Sequence, residues 1–125
     1  MYSKFYAQAG EGKYIIKATA TFLGSDISVS VGGGTLEHIG AVSLGVYEPV
    51  RDSATLSTIS VHTHRDDAVA SCFAKTISKE LKCTVSVAAG IHIDDATEDE
   101  IKLLRNNSMI CCVKLISALR NGEEK

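Results

Sequence analysis

The spacing of the apolar residues in this chain changes once, near residue 66, and that change restricts the fold more than any other feature. Before it, apolar and polar residues alternate, which is the pattern of half-buried β-strands. The alternating segments are 14–23, 27–31, 36–46 and 55–62. After it, Val69, Phe73, Ile77 and Leu81 recur at helical spacing. The chain therefore begins with four strands and continues with at least one helix.

The second half predicts one more strand and one more helix. Residues 85–93 alternate again, and Thr97 with Glu100 has the form of a capping box before an apolar helical pattern that runs to Arg120. The strand-helix-strand order predicts a right-handed crossover that makes the fifth strand parallel to the fourth, with the fifth strand central. We predict an α+β fold, a ββββαβα two-layer sandwich with a five-stranded, mostly antiparallel sheet and two helices on one face.

The totals fit one domain over residues 1–125, with residues 1–12 as a loose N-terminal arm. A net charge of −2 without a basic run argues against nucleic-acid binding. No apolar run is long enough for a membrane span or a signal peptide, so we expect a cytoplasmic protein without a membrane partner. The four cysteines lack zinc-site spacing, and the Cys111–Cys112 pair favours helix packing over a redox or metal role.

Three consecutive glycines, Gly32 to Gly34, stand directly before a Glu37–His38 pair. They either hold the backbone open for an anion such as a phosphate or form a turn or bulge between two strands. Alternation places Glu37 and His38 on opposite faces of the strand, where His38 alone is also compatible with a core histidine. Gly40 and Gly45 indicate a bulge or a close packing contact.

Two further polar pairs are candidates for ligand binding. His64 and Arg65 stand at the predicted start of the first helix, where free amides and a cation could hold a phosphate. His92 and Asp94 lie on the face of the fifth strand opposite its apolar set, among residues small enough for a flat group or a partner. His62 and His64 would permit a metal pair but lack a third ligand. Asp94 with Asp95 is also compatible with an ordinary polar turn.

Signs of an enzyme are weak in this sequence. There is no strand-to-helix nucleophile elbow, and the glycines lack the Gly-x-Gly-x-x-Gly spacing of a dinucleotide site. The residues therefore favour a ligand-binding or interaction domain, with no catalytic residue and no metal site assigned.

Three motifs in order resemble one known family. They are Gly33 to Val42 (Gly-Gly-x-x-x-His-Ile-Gly-Ala-Val), His64-Arg65-Asp66, and Ala89 to Glu98 with its Ala-Gly-Ile-His-Ile-Asp. The chain resembles, from about Tyr14 to Leu119, the prenylated-flavin chaperones, small D-subunit-like proteins associated with UbiD-type gallate and other hydroxyaryl acid decarboxylases. It departs from the pattern around Gly45-Val46-Tyr47 and Val61-His62-Thr63.

The resemblance implies a non-catalytic carrier that binds prenylated FMN, or an FMN-like flavin, and supplies it to the large subunit of a UbiD-type decarboxylase. We expect a homodimer, because a flavin needs more enclosing surface than one sheet face offers. The implied cofactor-binding positions are Gly33, Gly34, Glu37, His38, His64, Arg65, His92 and Asp94. We assign His64, Arg65 and the glycine backbone to the phosphate, and His92, His38 and Glu37 to the flavin polar edge or an interface.

Two other interpretations stay open. The protein could be an assembly or scaffold subunit of a larger enzyme that buries the outward sheet face and binds no small molecule. It could also be a small metal-dependent enzyme that uses His62, His64 and His92.

Overall fold

The computed structural model describes residues 3–61 and 66–122. Within these ranges it contains six strands, two α-helices and one short 3-10 turn, Gly12–Tyr14. The strands are β1 (Lys4–Ala9), β2 (Ile16–Leu23), β3 (Asp26–Gly34), β4 (Ala41–Glu48), β5 (Ser53–Ser60) and β6 (Val85–His92), and the helices are α1 (Asp66–Leu81) and α2 (Glu98–Asn121). The predicted α+β two-layer architecture is confirmed, with six strands instead of five.

The additional strand is β1, which lies in the segment that we expected to be a loose arm. It pairs antiparallel with β2 along its whole length, from Lys4 opposite Thr21 to Ala9 opposite Ile16. Phe5 is buried and packs edge-to-face on Phe22, with 5.6 Å between the ring centroids. This short edge strand has only three alternating small or aromatic residues, and Gly10 and Gly12 follow it. The sequence pattern that would predict a strand is therefore weak here.

The strand order in the sheet is β1-β2-β3-β6-β4-β5, and only the β3–β6 pair is parallel. β6 is central, as predicted. β5 and β6 also run in the same direction, because each is antiparallel to β4, which lies between them. The parallel neighbour that β6 contacts is therefore β3, and this brings the C-terminal ends of β3 and β6 side by side.

Residues 32–40 differ from the prediction. The triple glycine belongs to β3, where Gly32 pairs with Lys17 and Gly33 with Ile16, and β4 begins at Ala41 instead of residue 36. Gly34 ends β3 with a φ of +75°. Glycine adopts this left-handed backbone conformation with little steric cost. Residues 35–40 therefore connect β3 to β4.

Both helices cover one face of the sheet and bury the alternate residues of every strand except β5, whose residues are partly or fully exposed. The largest buried side chains of this layer are Phe73, Ile16, Ile77, Leu115, Val29, Val85 and Val87. β4 contributes the close packing contact expected at Gly45, where an added Cβ would lie 2.5 Å from the Ala74 carbonyl oxygen of α1. Within residues 3–61 and 66–122 no helix covers the opposite face of the sheet, which is called the open face below.

The predicted capping box starts α2. The Glu100 amide donates to Thr97 Oγ1 at 3.1 Å, and the Thr97 amide donates to Glu100 Oε1 at 3.0 Å. Tyr14 and Lys13 also bind the Glu100 carboxylate, at 2.7 and 3.3 Å. The Thr97 backbone and Tyr14 hydrogen bonds lower the pKa of Glu100 to about 2. At the other end, Gly122 caps α2 in the left-handed conformation. Neither helix of the described residues is long and apolar enough to cross a membrane.

Candidate functional site

The candidate site lies where the parallel strands β3 and β6 end and α1 begins. Gly34 pairs with His92, the last residue of β6. The connection after β3 folds back over this end, since the Thr35 amide donates to the His92 carbonyl at 2.8 Å and the Gly40 amide donates to the Ala89 carbonyl at 2.8 Å. The His38 carbonyl packs so closely on Gly90 that a side chain at position 90 would collide with it.

Asp66 ties this end of the sheet together. It is the first residue of α1 and is almost fully buried. Its Oδ1 accepts a hydrogen bond from the Ile91 amide at 2.9 Å, and its Oδ2 lies 3.1 Å from His38 Nε2. The same carboxylate packs against the Cα of Gly40, which leaves no room for a side chain there. Burying a carboxylate is costly unless it is paired, and Asp66 meets that requirement with two partners.

His92 and Asp94 form a second pair beside the first. His92 Nε2 lies 2.7 Å from Asp94 Oδ1, and the two side chains are 40% and 89% exposed. The rings of His92 and His38 meet edge-to-face, with 6.3 Å between their centroids. His38, Asp66, His92 and Asp94 are called the histidine–carboxylate cluster below. It combines two imidazoles with two carboxylates, so it offers both hydrogen-bond donors and acceptors to a ligand.

The structure brings together only part of the predicted set. His38, His92 and Asp94 meet in the cluster, and Gly34 lies directly beside His92. Glu37 lies on the open face, where its carboxylate covers the Cα of Gly32. Residues 35–40 form no strand and His38 lines the same open-face groove, so the predicted placement of Glu37 and His38 on opposite strand faces is wrong. His64 and Arg65, like His62, lie outside the described residues.

Close contacts account for the glycines at 33 and 34. A Cβ on Gly33 would meet the Ile15 carbonyl oxygen at 2.6 Å, and one on Gly34 would collide with the His92 carbonyl. The Gly34 amide already donates to the Ile15 carbonyl at 3.4 Å. These contacts require glycine without any ligand, so a contact of either residue with a phosphate stays a prediction.

Sequence reasoning missed Asp66 as a site residue. Asp66 belongs to the His64-Arg65-Asp66 motif but was not among the predicted cofactor-binding positions, because an acidic residue in the first turn of a helix is commonly only stabilising. The residue that reveals its role is Gly40, because a glycine between two strands indicates that another group packs closely on the backbone. That group is the Asp66 carboxylate.

Two clefts reach the cluster from opposite faces of the sheet. The open-face groove has a volume of about 530 Å³ and is lined on its polar side by Tyr6, Gln8, Lys17, Thr19, Ser30, Glu37 and His38. The interhelical cleft, between α1 and α2, has a volume of about 700 Å³ and includes Asp66, Val69, Cys72, Ile91, His92, Ile101, Leu104, Arg105 and Met109 in its lining. Both volumes lie in the range of small-molecule sites, about 300–1,000 Å³.

Metal ligands and reactive thiols are not grouped at this end of the sheet. Residues 3–61 and 66–122 contain no set of three or more His, Cys, Asp and Glu side chains that could hold a metal ion. Cys111 and Cys112 are fully buried, and burial raises the pKa of Cys111 to about 11 and that of Cys112 to about 12. Thiols with such pKa values are poor nucleophiles, so the packing interpretation of this pair is supported.

A family model for the prenylated flavin chaperone LpdD-like domain matches residues 10–120. The chain belongs to this family. The match covers most of the chain and includes the cluster, the interhelical cleft, α1 and all but the last residue of α2. It confirms the resemblance that the Gly33–Val42 and Ala89–Glu98 motifs indicated.

One similar protein agrees with the family assignment, and one similar solved structure agrees with the fold. The chain is 30% identical over 94 residues to Protein LpdD of Lactiplantibacillus plantarum, which covers 75% of this chain and 67% of that protein. Its fold is similar to a chain in the crystal structure of a chaperone complex for yeast 20S proteasome assembly, with a TM-score of 0.65, 15% identity and 96% coverage of each chain. At that identity the second comparison shows the shared fold alone.

Proposed function

We propose that this protein is a non-catalytic carrier that binds prenylated FMN and supplies it to a UbiD-type decarboxylase. The observation that carries the proposal is the histidine–carboxylate cluster, which lies beside two clefts of small-molecule size in a member of the prenylated flavin chaperone family. A carrier must hold the flavin without reacting with it, and the proposal assigns no catalytic residue to the chain.

The chemistry of the cluster matches the polar edge of a flavin. That edge alternates carbonyl oxygens, which accept hydrogen bonds, with an imide N–H, which donates one. The His92 imidazole can donate to the carbonyls, and carboxylate oxygens such as those of Asp94 can accept from the imide, whereas both ring nitrogens of His38 are buried. His92 is partly exposed and Asp94 is almost fully exposed, so a partner enzyme could reach a flavin that is bound there.

The remaining predicted residues have roles on the phosphate or at the interface. His64 and Arg65 are candidates for the phosphate, since a guanidinium binds phosphate oxygens through paired hydrogen bonds. Gly33 and Gly34 would contribute backbone, and Glu37 would act from the open face.

A role as an assembly or scaffold subunit is the second candidate, and one observation favours it. The open face exposes four apolar side chains on the neighbouring strands β4 and β5, namely Val42, Leu44, Val46 and Ile59. A group of apolar residues on a sheet face is typical of a surface that a partner covers. The same surface could join two copies of this chain as the expected homodimer.

Purification with and without a flavin prenyltransferase system tests the carrier function. We expect protein from the prenylating cells to carry a ligand of prenylated-FMN mass and a flavin absorbance band. Protein from the same cells without the prenyltransferase is the control. Colourless protein that also fails to bind added prenylated FMN would contradict the proposal, and co-purification of a decarboxylase without flavin would favour the scaffold role.

A further inference from the structure

The interhelical cleft exists because α2 presents one apolar stripe that the protein covers only in part. Ile101, Leu104, Arg105, Ser108 and Met109 follow the i, i+3, i+4, i+7, i+8 spacing of a single helix face, and all five line the cleft. Farther along α2, the residues that face the sheet and α1 are fully buried, as Cys112 and Leu115 are. The first half of the helix thus has an apolar face that the rest of the protein covers only in part.

The opposite wall and the inner end of the cleft come from α1 and β6. Val69 and Cys72, one helical turn apart, face α2, and Ile91 and Ile93 of the β6 end lie between the helices. The two walls touch where Cys72 Sγ lies 3.2 Å from Met109 Sδ. Near the histidine–carboxylate cluster, Asp66 and His92 line the same cleft. An apolar cavity that ends at a few polar groups is the usual form of a small-molecule site.

We infer that the interhelical cleft, and not the open-face groove, holds the ring system of the flavin, with Arg105 bound to its phosphate. This inference rests on the proposed function and decides between the two clefts that reach the cluster. A prenylated flavin has a flat, largely apolar ring system, and burial of apolar surface stabilises the complex by about 25 cal/mol per Å². Six side chains of the cleft supply such surface: Val69, Ile91, Ile93, Ile101, Leu104 and Met109.

The open-face groove suits such a ring less well. Its lining includes Gln8, Lys17, Thr19, Ser30 and Glu37, whose polar groups would lose water against an apolar ring. The carboxylate of Glu37 lies over Gly32 in the same groove, where it would repel a phosphate. A phosphate bound in the groove would form its ion pair with Lys17.

Arg105 is available to an anion. Lys13 and Arg120 form ion pairs with Glu100 and Glu80, whereas Arg105 makes no ion pair or hydrogen bond with any residue of the described chain. Arg105 lies on the wall of a cleft whose lining includes one carboxylate, that of Asp66, which accepts a hydrogen bond from the Ile91 amide and lies 3.1 Å from His38 Nε2. A dianionic phosphate can accept hydrogen bonds from more than one cation, so a role for Arg65 is compatible with one for Arg105.

Thiol footprinting with prenylated FMN tests the location directly. Cys72 lines the cleft, whereas Cys83 lies past the far end of α1 and is similarly accessible. With ligand at ten times its Kd, we expect the rate of Cys72 alkylation by iodoacetamide to fall on the order of tenfold, because only the free protein reacts. The rate at Cys83 should not change, and it serves as an internal control in the same sample.

Charge variants provide an independent readout that does not depend on thiol access. We expect Arg105→Gln to weaken prenylated FMN binding by about tenfold to a hundredfold, the range of a charge-assisted contact. Lys17→Gln in the open-face groove and Arg51→Gln in the β4–β5 turn are matched controls, and both should bind like the wild type. Arg105 is exposed, so its replacement should leave the circular dichroism spectrum and the unfolding midpoint unchanged.

The outcomes separate this inference from the proposed function. Protection of Cys72 together with weaker binding by Arg105→Gln supports the inference. If prenylated FMN binds but Cys72 reacts at its free rate, or if Lys17→Gln alone weakens binding, the ring lies elsewhere and only the inference fails. If the wild-type protein does not bind prenylated FMN, the proposed function and the inference fail together.

Discussion

The two faces of the sheet use the same alternation of residues in opposite ways. On the covered face, Ile16, Val29 and Val87 are inaccessible to solvent beneath the two helices. On the open face, Val42, Leu44 and Val46 of β4 are each about 40% exposed, although they alternate as regularly as the covered residues. Apolar alternation therefore identifies a strand, while the presence of a covering element decides which apolar face becomes the core.

The comparison also separates folding from function. The covered face is filled by apolar side chains from five of the six strands, so substitutions there should act on stability. The open face keeps small or polar residues in its centre, such as Ser30, Gly32 and Ala88, and apolar residues toward β5. It contributes little to the core and is free to meet a partner.

The histidine–carboxylate cluster stands where the two faces meet. His38 lines the open-face groove, and His92 lines the interhelical cleft, yet their rings are in contact. A ligand on one face could therefore affect a partner on the other through these side chains. The following predictions test how separate the two faces are, from the largest expected effect to the smallest.

Removal of a covered side chain should have the largest effect. Leu115→Ala in α2 should lower the free energy of unfolding by about 2–5 kcal/mol, because Leu115 is fully buried and its loss leaves a cavity. Leu103→Ala is the same change on an exposed position of the same helix and should cost less than about 1 kcal/mol. Urea unfolding followed by circular dichroism measures both, and equal losses would show that α2 does not cover the sheet as described.

Removal of the Asp66 carboxylate should have the next largest effect. Asp66→Ala should lower the free energy of unfolding by about 1–3 kcal/mol, since the Ile91 amide is left without its acceptor and His38 loses a partner. Asp67→Ala is the control, because Asp67 is exposed in the same helical turn. We also expect weaker prenylated FMN binding in Asp66→Ala alone. Equal urea midpoints for the two variants would contradict the role of Asp66.

Charges on the open face should disrupt association without unfolding the chain. If β4 forms the homodimer interface, Val42→Lys with Leu44→Lys should raise the dimer Kd by more than about tenfold, because two charges would be buried in an apolar interface. Val50→Lys in the exposed turn after β4 is the control. Analytical ultracentrifugation measures the Kd, and a dimer that persists in the double variant would place the interface elsewhere.

The fold was predictable from the sequence wherever one period persisted over many residues. Helix α1 begins and ends where its apolar spacing indicated, and the Thr97–Glu100 capping box marks the start of α2. Strand β1 was missed because it is a short edge strand with few apolar residues. The triple glycine was interpreted as an anion-binding stretch or as a turn or bulge between two strands, although β3 continues through it, because glycine carries no side chain that could show alternation.

The site was predictable as a set of residues but not as an arrangement. His38 lies 54 or more positions before His92 and Asp94 in the sequence. Only the parallel pairing of β3 with β6 brings the three residues together. That pairing depends on β6 inserting between β3 and β4, which local periodicity does not encode. Arg105 lies on a face of α2 that is uncovered over only part of the helix. The spacing of residues in the sequence cannot distinguish the covered part of such a face from the uncovered part.

Acidification should lower the free energy of unfolding by less than the preceding substitutions do, because it weakens the contacts that hold the start of α2. Glu100 binds the Thr97 amide, Tyr14 and Lys13, and these contacts lower its pKa from 4.5 to about 2. Because the folded-state pKa is the lower one, the stability that the carboxylate contributes is fully present above about pH 4.5 and is lost as the pH falls toward 2.

We therefore expect the difference in free energy of unfolding between the wild type and Glu100→Gln to be constant from pH 7 to about 5 and to shrink at lower pH. Urea unfolding at pH 7, 5, 4 and 3 measures it. Glu98→Gln is the control, because Glu98 lies exposed in the same first turn of α2 and makes none of the contacts of Glu100. A difference that does not change between pH 7 and 3 would show that Tyr14 and Lys13 do not hold Glu100 in its charged form, and that the start of α2 is anchored by its apolar contacts alone.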